Sequence, residues 1–270
     1  MSQPCIFSLR FDLFPQNETE ERLFTPYGYL FRGLIMKWIN DMNKDFVADL
    51  HAINSNKFVL REYAIYTEKI QKKNPNGSVI QGRRLYLNIF QHDMMNIITN
   101  KLLKHRIEKC IVGTQQCLVS NITIRKIYPN NISHTDRSEN SVQLLFKSPT
   151  AFNYVGGSGY VHNPTPERIF GSLLKIWNTV FQDTTYALPK NLYDKFPTAV
   201  VITKTDIGIK SWKMGKQDVK FKGFLGLVTI SFIDDEIKAD CYNLIKLGEF
   251  ANVGAGRTAG FGHYVVLNTK

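Results

Sequence analysis

The sequence lacks any long run of apolar residues. No stretch approaches the roughly 18 uncharged apolar residues that a membrane-spanning helix needs. The segment 5–14 alternates apolar and polar residues like a half-buried β-strand, and no basic region precedes it, so it is not expected to be a signal peptide. We therefore expect a cytoplasmic protein that has no membrane partner.

Cysteines are few, and none has the spacing of a metal site. The four, Cys5, Cys110, Cys117 and Cys241, are scattered, with no Cys-x-x-Cys pair and no histidine at ligand spacing. Buried, reduced thiols are the expected state, and no metal site is predicted.

Acidic residues are also in short supply. The chain has 34 Lys and Arg against 23 Asp and Glu, a net charge of +11. Such an excess repels itself unless a polyanion compensates it, so nucleic acid is the first candidate partner and an anionic membrane the second. With 270 residues, of which 43% are hydrophobic and 12% aromatic, the chain has enough material for two packed domains.

The hydrophobic periodicity predicts the same order of elements in each half: strand, helix, β-hairpin, helix, strand. In the first half these are segment 5–14, an apolar helical face from Leu30 to Met42, strands 58–66 and 84–90, helix 91–106 and a strand ending near Ile127. In the second half they are 142–146, 166–181, 199–209, 221–232, 234–247 and 260–267, after a polar linker at 129–140. This order predicts an α+β fold with two tandem ferredoxin-like (β-α-β-β-α-β, RRM-like) domains, residues 1–130 and 140–270.

Basic residues cluster in three places that suit RNA. One of them is the end of the predicted helix 91–106, with Lys101, Lys104, His105, Arg106 and Lys109. Segment 69–84, on either side of a hairpin turn, contains no acid, and segment 204–222 has six lysines against Asp206 and Asp218. Each cluster is either a solvated face or a set of phosphate contacts. We predict RNA contacts at Lys72, Lys73, Arg83, Arg84, Lys210 and Lys213, with Trp212 as a base-stacking side chain.

A glycine-rich run precedes the last strand. Residues 254–262 contain four glycines and Arg257. A dinucleotide fingerprint follows a strand and opens a helix, whereas this run does the reverse, and it lacks the Gly-Lys-Ser/Thr ending of a P-loop. No nucleotide cofactor is therefore expected. The run is either a turn without a ligand or a loop that holds an RNA backbone through Gly254, Gly256, Arg257, Thr258, Gly260 and Gly262.

The pattern Gly-x-Gly-Arg-Thr-x-Gly-Phe-Gly before a C-terminal strand resembles the signature loop of the CRISPR-associated endoribonucleases that cut repeat RNA, the sixth CRISPR-associated protein family of the RAMP superfamily. Segment 29–35, then Leu50-His51 and Lys57-Phe58, is similar to the N-terminal helix and active-site region of that family. Segment 146–152 is similar to the start of its second ferredoxin-like domain.

This resemblance implies metal-independent cleavage of CRISPR repeat RNA in precursor transcripts, with other CRISPR effector subunits as further partners. A ribose 2′-OH would attack the adjacent phosphate and leave a 2′,3′-cyclic phosphate and a 5′-OH, which makes guide RNAs. Such a reaction needs proton transfer and positive charge at the phosphoryl oxygens. His51 and Lys57 match these roles.

One position departs from the family pattern. Some members have a tyrosine fifteen residues before the histidine, where this chain has Met36, which cannot transfer a proton. Tyr29 is a candidate substitute. The departure leaves open a non-catalytic guide-RNA-binding subunit of a CRISPR ribonucleoprotein, and an unrelated basic protein whose glycine-rich run is only a turn is the remaining alternative.

Overall fold

The computed structural model describes residues 4–16, 28–46, 63–73, 75, 77–105, 108–132, 139–154, 159–181, 184–214 and 219–267. The chain divides into two compact units. One is Ile6–Lys126, and the other is Ile127–Lys270 together with the residues before Ile6.

The first unit is an antiparallel sheet with helices on one face. Leu9, Phe11 and Leu13 are fully buried along the first strand, and the ring of Phe11 packs edge-on against Trp38 of the first helix at 5.8 Å. The sheet order is β2-β3-β1-β5-β4, so the first four strands of this order follow the ferredoxin-like arrangement. The elements are β1 (Ile6–Pro15), α1 (Tyr29–Met42), β2 (Tyr63–Lys73), β3 (Val79–Ile89), α2 (His92–His105), β4 (Lys109–Val112) and β5 (Gln115–Ile127).

The second unit repeats the arrangement, with sheet order β11-β6-β10-β9. Its core lies where Phe146 and Phe224 of the sheet meet in a T-shaped contact at 4.9 Å and where Tyr264 packs against Phe146 at 5.3 Å. The elements are α3 (Pro129–Ile132), β6 (Ser141–Thr150), β7 (Phe152–Asn153), β8 (Tyr160–Val161), α4 (Pro166–Phe181), α5 (Leu192–Ala199), β9 (Val200–Met214), β10 (Val219–Phe232), α6 (Asp235–Ala251) and β11 (Tyr264–Leu267). The predicted α+β class with tandem ferredoxin-like domains is confirmed.

Several elements were not predicted, each for a physical reason. Strand β4 has four residues and helix α3 one turn, too short for a periodic pattern, and α3 lies inside the predicted linker with Pro129 and Ile132 buried. Helix α5 contains Pro197, a residue that argues against a helix interior. In the described part of the chain, no helix is both long enough and apolar enough to cross a membrane.

Candidate nucleic-acid interface

The glycine-rich run forms a folded loop, residues 252–263, between α6 and β11. Helix α6 ends at Ala251, and Asn252 then takes a positive φ of 54°. A 3-10 turn at Arg257–Ala259 lies between Gly256 and Gly260, which both have left-handed backbone conformations. Residues with side chains adopt such angles at a cost of about 1–2 kcal/mol, so the glycines allow this path of the chain.

Two of the loop glycines also sit where no side chain fits. A Cβ at Gly262 would overlap the carbonyl oxygen of Val253, and one at Gly254 would overlap the carbonyl oxygen of Ala151. Sequence reasoning explained these glycines by close approach to phosphate. The structure adds another reason, which is close approach of the loop to its own backbone.

Most loop amides donate within the protein. The N–H of Gly254 donates to Ser172 Oγ of α4 at 3.1 Å, that of Ala255 to Ala151 O at 2.8 Å, and that of Gly262 to Pro149 O at 2.9 Å. These bonds attach the loop to α4, to the end of β6 and to Ala151, which directly follows that strand. The loop is therefore a preformed structure and not an open set of amide donors.

Arg257 and Thr258 lie inside this loop. The Arg257 side chain is 8% exposed, and its guanidinium donates to Ala251 O at 3.3 Å. Thr258 is buried as well, which leaves Gly256 as the exposed residue of the run 252–263. In this conformation Arg257 holds the loop to the end of α6, while the Gly256 backbone meets solvent.

His263, directly after the loop, is buried. Its backbone N–H donates to Ser148 Oγ at 2.8 Å, and its carbonyl accepts from the Lys147 amide at 3.0 Å. Burial, followed by the charge of Lys147, lowers the pKa of His263 to about 3. This imidazole is therefore neutral near pH 7, which suits a structural role better than a proton donor.

Aromatic side chains lie beside the loop. Phe261 stacks on Phe221 of β10 with ring centroids 4.0 Å apart, and Tyr160 of β8 packs against the same ring at 5.3 Å. Trp212 of β9 is the cross-strand neighbour of Phe221. Tyr160 is about half exposed, so it joins the predicted Trp212 as a surface on which a base could stack. Sequence reasoning missed Tyr160 because it is about 100 residues from the loop in the chain.

The basic residues predicted to contact RNA are of two kinds, exposed lysines and arginines that are buried or ion-paired. Lys72, Lys73 and Lys210 are exposed. Lys213 stands opposite Lys220 in the β9–β10 ladder, and its side chain is outside the described residues. The predicted lysine contacts lie on hairpins of different units. Lys72 and Lys73 are on β2, and Lys210 and Lys213 are on β9.

The two predicted arginine contacts, both on β3, are less accessible to an RNA ligand than the lysines. Arg83 is buried, which lowers its pKa, and Arg84 makes a bidentate ion pair with Asp12 of β1 at 2.6 and 2.9 Å. Asn121 of β5 donates to the same carboxylate at 3.0 Å. The hydrogen bonds from Arg84 hold the pKa of Asp12 below its usual value. The RNA role of both arginines stays a prediction, and the charge of Arg84 is already paired.

The predicted catalytic residues are only partly described. Tyr29 begins α1 and is half-buried, and Met36 is also half-buried, two helical turns along α1. His51 and Lys57 are outside the described residues. Within the part of the chain that the structure describes, no group of three or more His, Cys, Asp or Glu side chains could hold a metal ion.

Comparison with known proteins shows which family this chain resembles. The profile of CRISPR-associated endoribonuclease Cas6 matches residues 144–264, which include the whole loop. The resemblance to the Cas6 family is confirmed. No curated protein sequence is similar enough to be counted as a relative.

Solved Cas6 structures have a similar fold and align with nearly all of this chain. A product complex of Cas6 from Thermus thermophilus aligns with a TM-score of 0.74 at 17% identity and covers 98% of this chain and 100% of its own. A second Cas6 product complex aligns at 0.71, with 14% identity and coverage of 97% and 100%. A Cas6-related protein from Pyrococcus furiosus aligns at 0.59, with 14% identity and coverage of 98% and 100%. At such identities the likeness establishes the fold.

Proposed function

We propose that this protein is a Cas6-type RNA endonuclease that binds CRISPR repeat RNA and cuts it in precursor transcripts. The observation that carries the proposal is the loop at 252–263. It lies within the segment that matches the Cas6 profile, and it is folded as a defined structure between α6 and β11. Neighbouring structures in which Cas6 is bound to RNA product or to a substrate mimic support RNA as the ligand.

We infer that RNA meets the second unit at the exposed end of this loop. Gly256 offers exposed backbone there, and Tyr160 and Trp212 flank the Phe221–Phe261 stack beside it. Lys210 adds exposed positive charge on the same strand as Trp212. Aromatic rings and lysines together bind single-stranded RNA largely without regard to its sequence.

The chemistry we propose is transesterification. A base removes the proton of the 2′-OH, the resulting oxygen attacks the neighbouring phosphorus, and an acid protonates the departing 5′ oxygen. The products are a 2′,3′-cyclic phosphate and a 5′-OH. His51 would transfer a proton, Lys57 would stabilise charge on the phosphoryl oxygens, and Tyr29 would assist in place of a tyrosine at position 36. Because the 2′-OH is the nucleophile, this reaction requires no metal ion.

The test uses repeat RNA in excess EDTA beside a matched RNA whose 2′-OH at the cut site is replaced by hydrogen. Cleavage of the all-ribose RNA alone, with a cyclic phosphate at the new 3′ end, is the expected result. Tight binding without cleavage would instead show a guide-RNA-binding subunit, an outcome consistent with Met36 on α1. Absence of any preference for repeat RNA would refute both functions.

Variants then assign the roles. His51→Ala is expected to lower the cleavage rate about 10²- to 10⁴-fold, the usual contribution of a proton-transfer group, with little change in RNA affinity. Lys57→Ala and Tyr29→Phe are tested in the same single-turnover assay. Unchanged cleavage by His51→Ala would remove this residue from the mechanism.

A further inference from the structure

Two cysteines face each other at the edge of the sheet in the first unit. Strand β4 pairs with β5 in a register that places Cys110 directly opposite Cys117. Cys110 is 8% exposed, Cys117 is fully buried, and both are free thiols. Their spacing in the sequence matches no metal or redox motif, so the register of the hairpin is what identifies them as neighbours.

The two thiols interact with each other. The thiol of Cys110 donates a hydrogen bond to Cys117, which lowers the pKa of Cys117 and raises the pKa of Cys110. Cys117 in turn donates to Gln115 O at 3.7 Å. The sulfur atoms are therefore adjacent on the same face of the hairpin. Because the thiolate is the reactive form of cysteine, the lower pKa makes Cys117 the thiol that an oxidant attacks first.

The spacing of the two residues suits a disulfide bond. Val119 N–H donates to Glu108 O at 2.8 Å, and hydrogen-bonded pairs alternate along an antiparallel ladder, so Cys110 and Cys117 form a hydrogen-bonded pair with Cα atoms about 5.5 Å apart. Disulfides span Cα separations of about 4.4–6.8 Å. The Cβ atoms of such a pair have to approach by roughly 1 Å to form the bond. This adjustment makes the bond easier to reduce than an unstrained disulfide.

The position of β4 in the fold permits both access and adjustment. This strand has four residues and lies at the edge of the five-stranded sheet. Short edge elements open locally at a lower free-energy cost than the centre of a sheet. Opening of the β4–β5 hairpin gives a small oxidant access to Cys117, and closure returns Cys110 to its side.

We propose that Cys110 and Cys117 are a modification site, a pair that a peroxide converts reversibly into a disulfide. The Cys117 sulfur attacks one oxygen of hydrogen peroxide, which gives a sulfenic acid and releases water. The Cys110 sulfur then attacks the sulfenic sulfur, the S–S bond forms, and a second water leaves. The two thiols lose one hydrogen atom each, and the peroxide is reduced to two water molecules. The proposal does not depend on RNA binding or cleavage.

The test is thiol mapping of the folded, full-length protein after treatment with hydrogen peroxide. The remaining thiols are alkylated under unfolding conditions, and the chain is digested with trypsin. Both cysteines lie in one tryptic peptide, Cys110–Arg125. Mass spectrometry should find this peptide without alkyl groups and lighter by two hydrogen atoms than its dithiol form. Cys241 of α6, which is equally buried, should be alkylated.

Several outcomes of this mapping would overturn the proposal. Alkylation of both cysteines after peroxide treatment would show that no bridge forms, and sulfinic acids in place of a bridge would show that the thiols react independently. Equal oxidation of Cys241 would show that position in the fold does not matter. Reduced glutathione added before alkylation should restore both thiols, and a bridge that glutathione leaves intact would refute the reversible assignment.

Variants separate the two steps. In Cys110→Ala the sulfenic acid of Cys117 has no neighbouring thiol, so a dimedone probe, which captures sulfenic acids, should label Cys117 more than in the unsubstituted protein. Cys241→Ala is the matched control and should form the bridge to the same extent as the unsubstituted protein. Unchanged dimedone labelling in Cys110→Ala, or loss of the bridge in Cys241→Ala, would refute the pairing. If Cys110→Ala does not fold, the mapping of the unsubstituted protein still decides.

Discussion

Replacing Gly262 by alanine tests whether the loop at 252–263 is held as the structure shows. Its φ is +76°, a conformation that costs a residue with a side chain about 1–2 kcal/mol. The added Cβ would also overlap the carbonyl oxygen of Val253. The backbone would have to move, and two hydrogen bonds would be endangered, Gly262 N–H to Pro149 O and Val253 N–H to Gly262 O, both 2.9 Å long.

At about 0.5–1.5 kcal/mol for each hydrogen bond, the combined destabilisation is roughly 2–5 kcal/mol. For a chain of this size each kcal/mol lowers Tm by about 2–4 °C, so thermal unfolding followed by circular dichroism should show a decrease of roughly 5–15 °C. RNA affinity should fall in parallel, because the exposed end of the loop depends on the same backbone.

Gly208→Ala is the matched control. This glycine of β9 is exposed, and a Cβ there would have no neighbour within 4 Å. Its free energy of unfolding should change by less than about 1 kcal/mol. If Gly262→Ala were as stable as Gly208→Ala, the loop conformation described above would be wrong.

Three further predictions concern stability. Burial lowers the pKa of His263 from 6.5 to about 3, so between these pH values only the unfolded chain takes up a proton at this residue. The contribution of neutral His263 to stability is therefore complete above about pH 6.5 and is lost as pH falls, by at most about 1.4 kcal/mol per pH unit. Chemical unfolding at several pH values should show a shallower pH dependence of the free energy of unfolding for His263→Gln, and an unchanged slope would refute the assignment. Asp12→Asn leaves Arg84 without its carboxylate partner and should lower the free energy of unfolding by about 1.5–3 kcal/mol in the same assay. An unchanged denaturant midpoint would mean that the ion pair contributes nothing to stability. Gly33 is an exposed residue of α1, and a Cβ there would have no neighbour within 4 Å, so Gly33→Ala should raise the free energy of unfolding by about 0.5–1 kcal/mol, and a decrease would contradict that open environment.

Much of the fold could be predicted because its signals are local. The helix at 166–181 was predicted with the same ends that the structure has, since Ile169, Leu173 and Trp177 form one apolar face and Pro166 stands at the first helical position. The repeated order of strands and helices likewise follows from hydrophobic period. Short elements carry no such period, and β4, β7 and β8 were missed for that reason.

The candidate site was less predictable. The sequence identified the glycine-rich run and its resemblance to a family, and it predicted an RNA contact at Arg257. It gave no sign that the guanidinium of this residue is buried against Ala251 O. It likewise predicted an RNA contact at Arg84 and did not foresee that Asp12 pairs with this side chain. Asp12, the partner of Arg84, is 72 residues away in the chain, so no local sequence pattern predicts this ion pair.

By itself, then, the sequence determined the two ferredoxin-like units, the basic balance and the position of the loop between a helix and a strand, because period, charge and turn residues act over a few neighbours. Tertiary structure alone decided which backbone atoms Gly254 and Gly262 approach, and that Tyr160 reaches Phe221. The contacts of Gly254 with Ala151 and of Tyr160 with Phe221 join residues far apart in the chain, and that of Gly262 with Val253 closes the loop on itself. They exist only once the sheet and helices have packed, and for that reason the sequence pattern does not contain them.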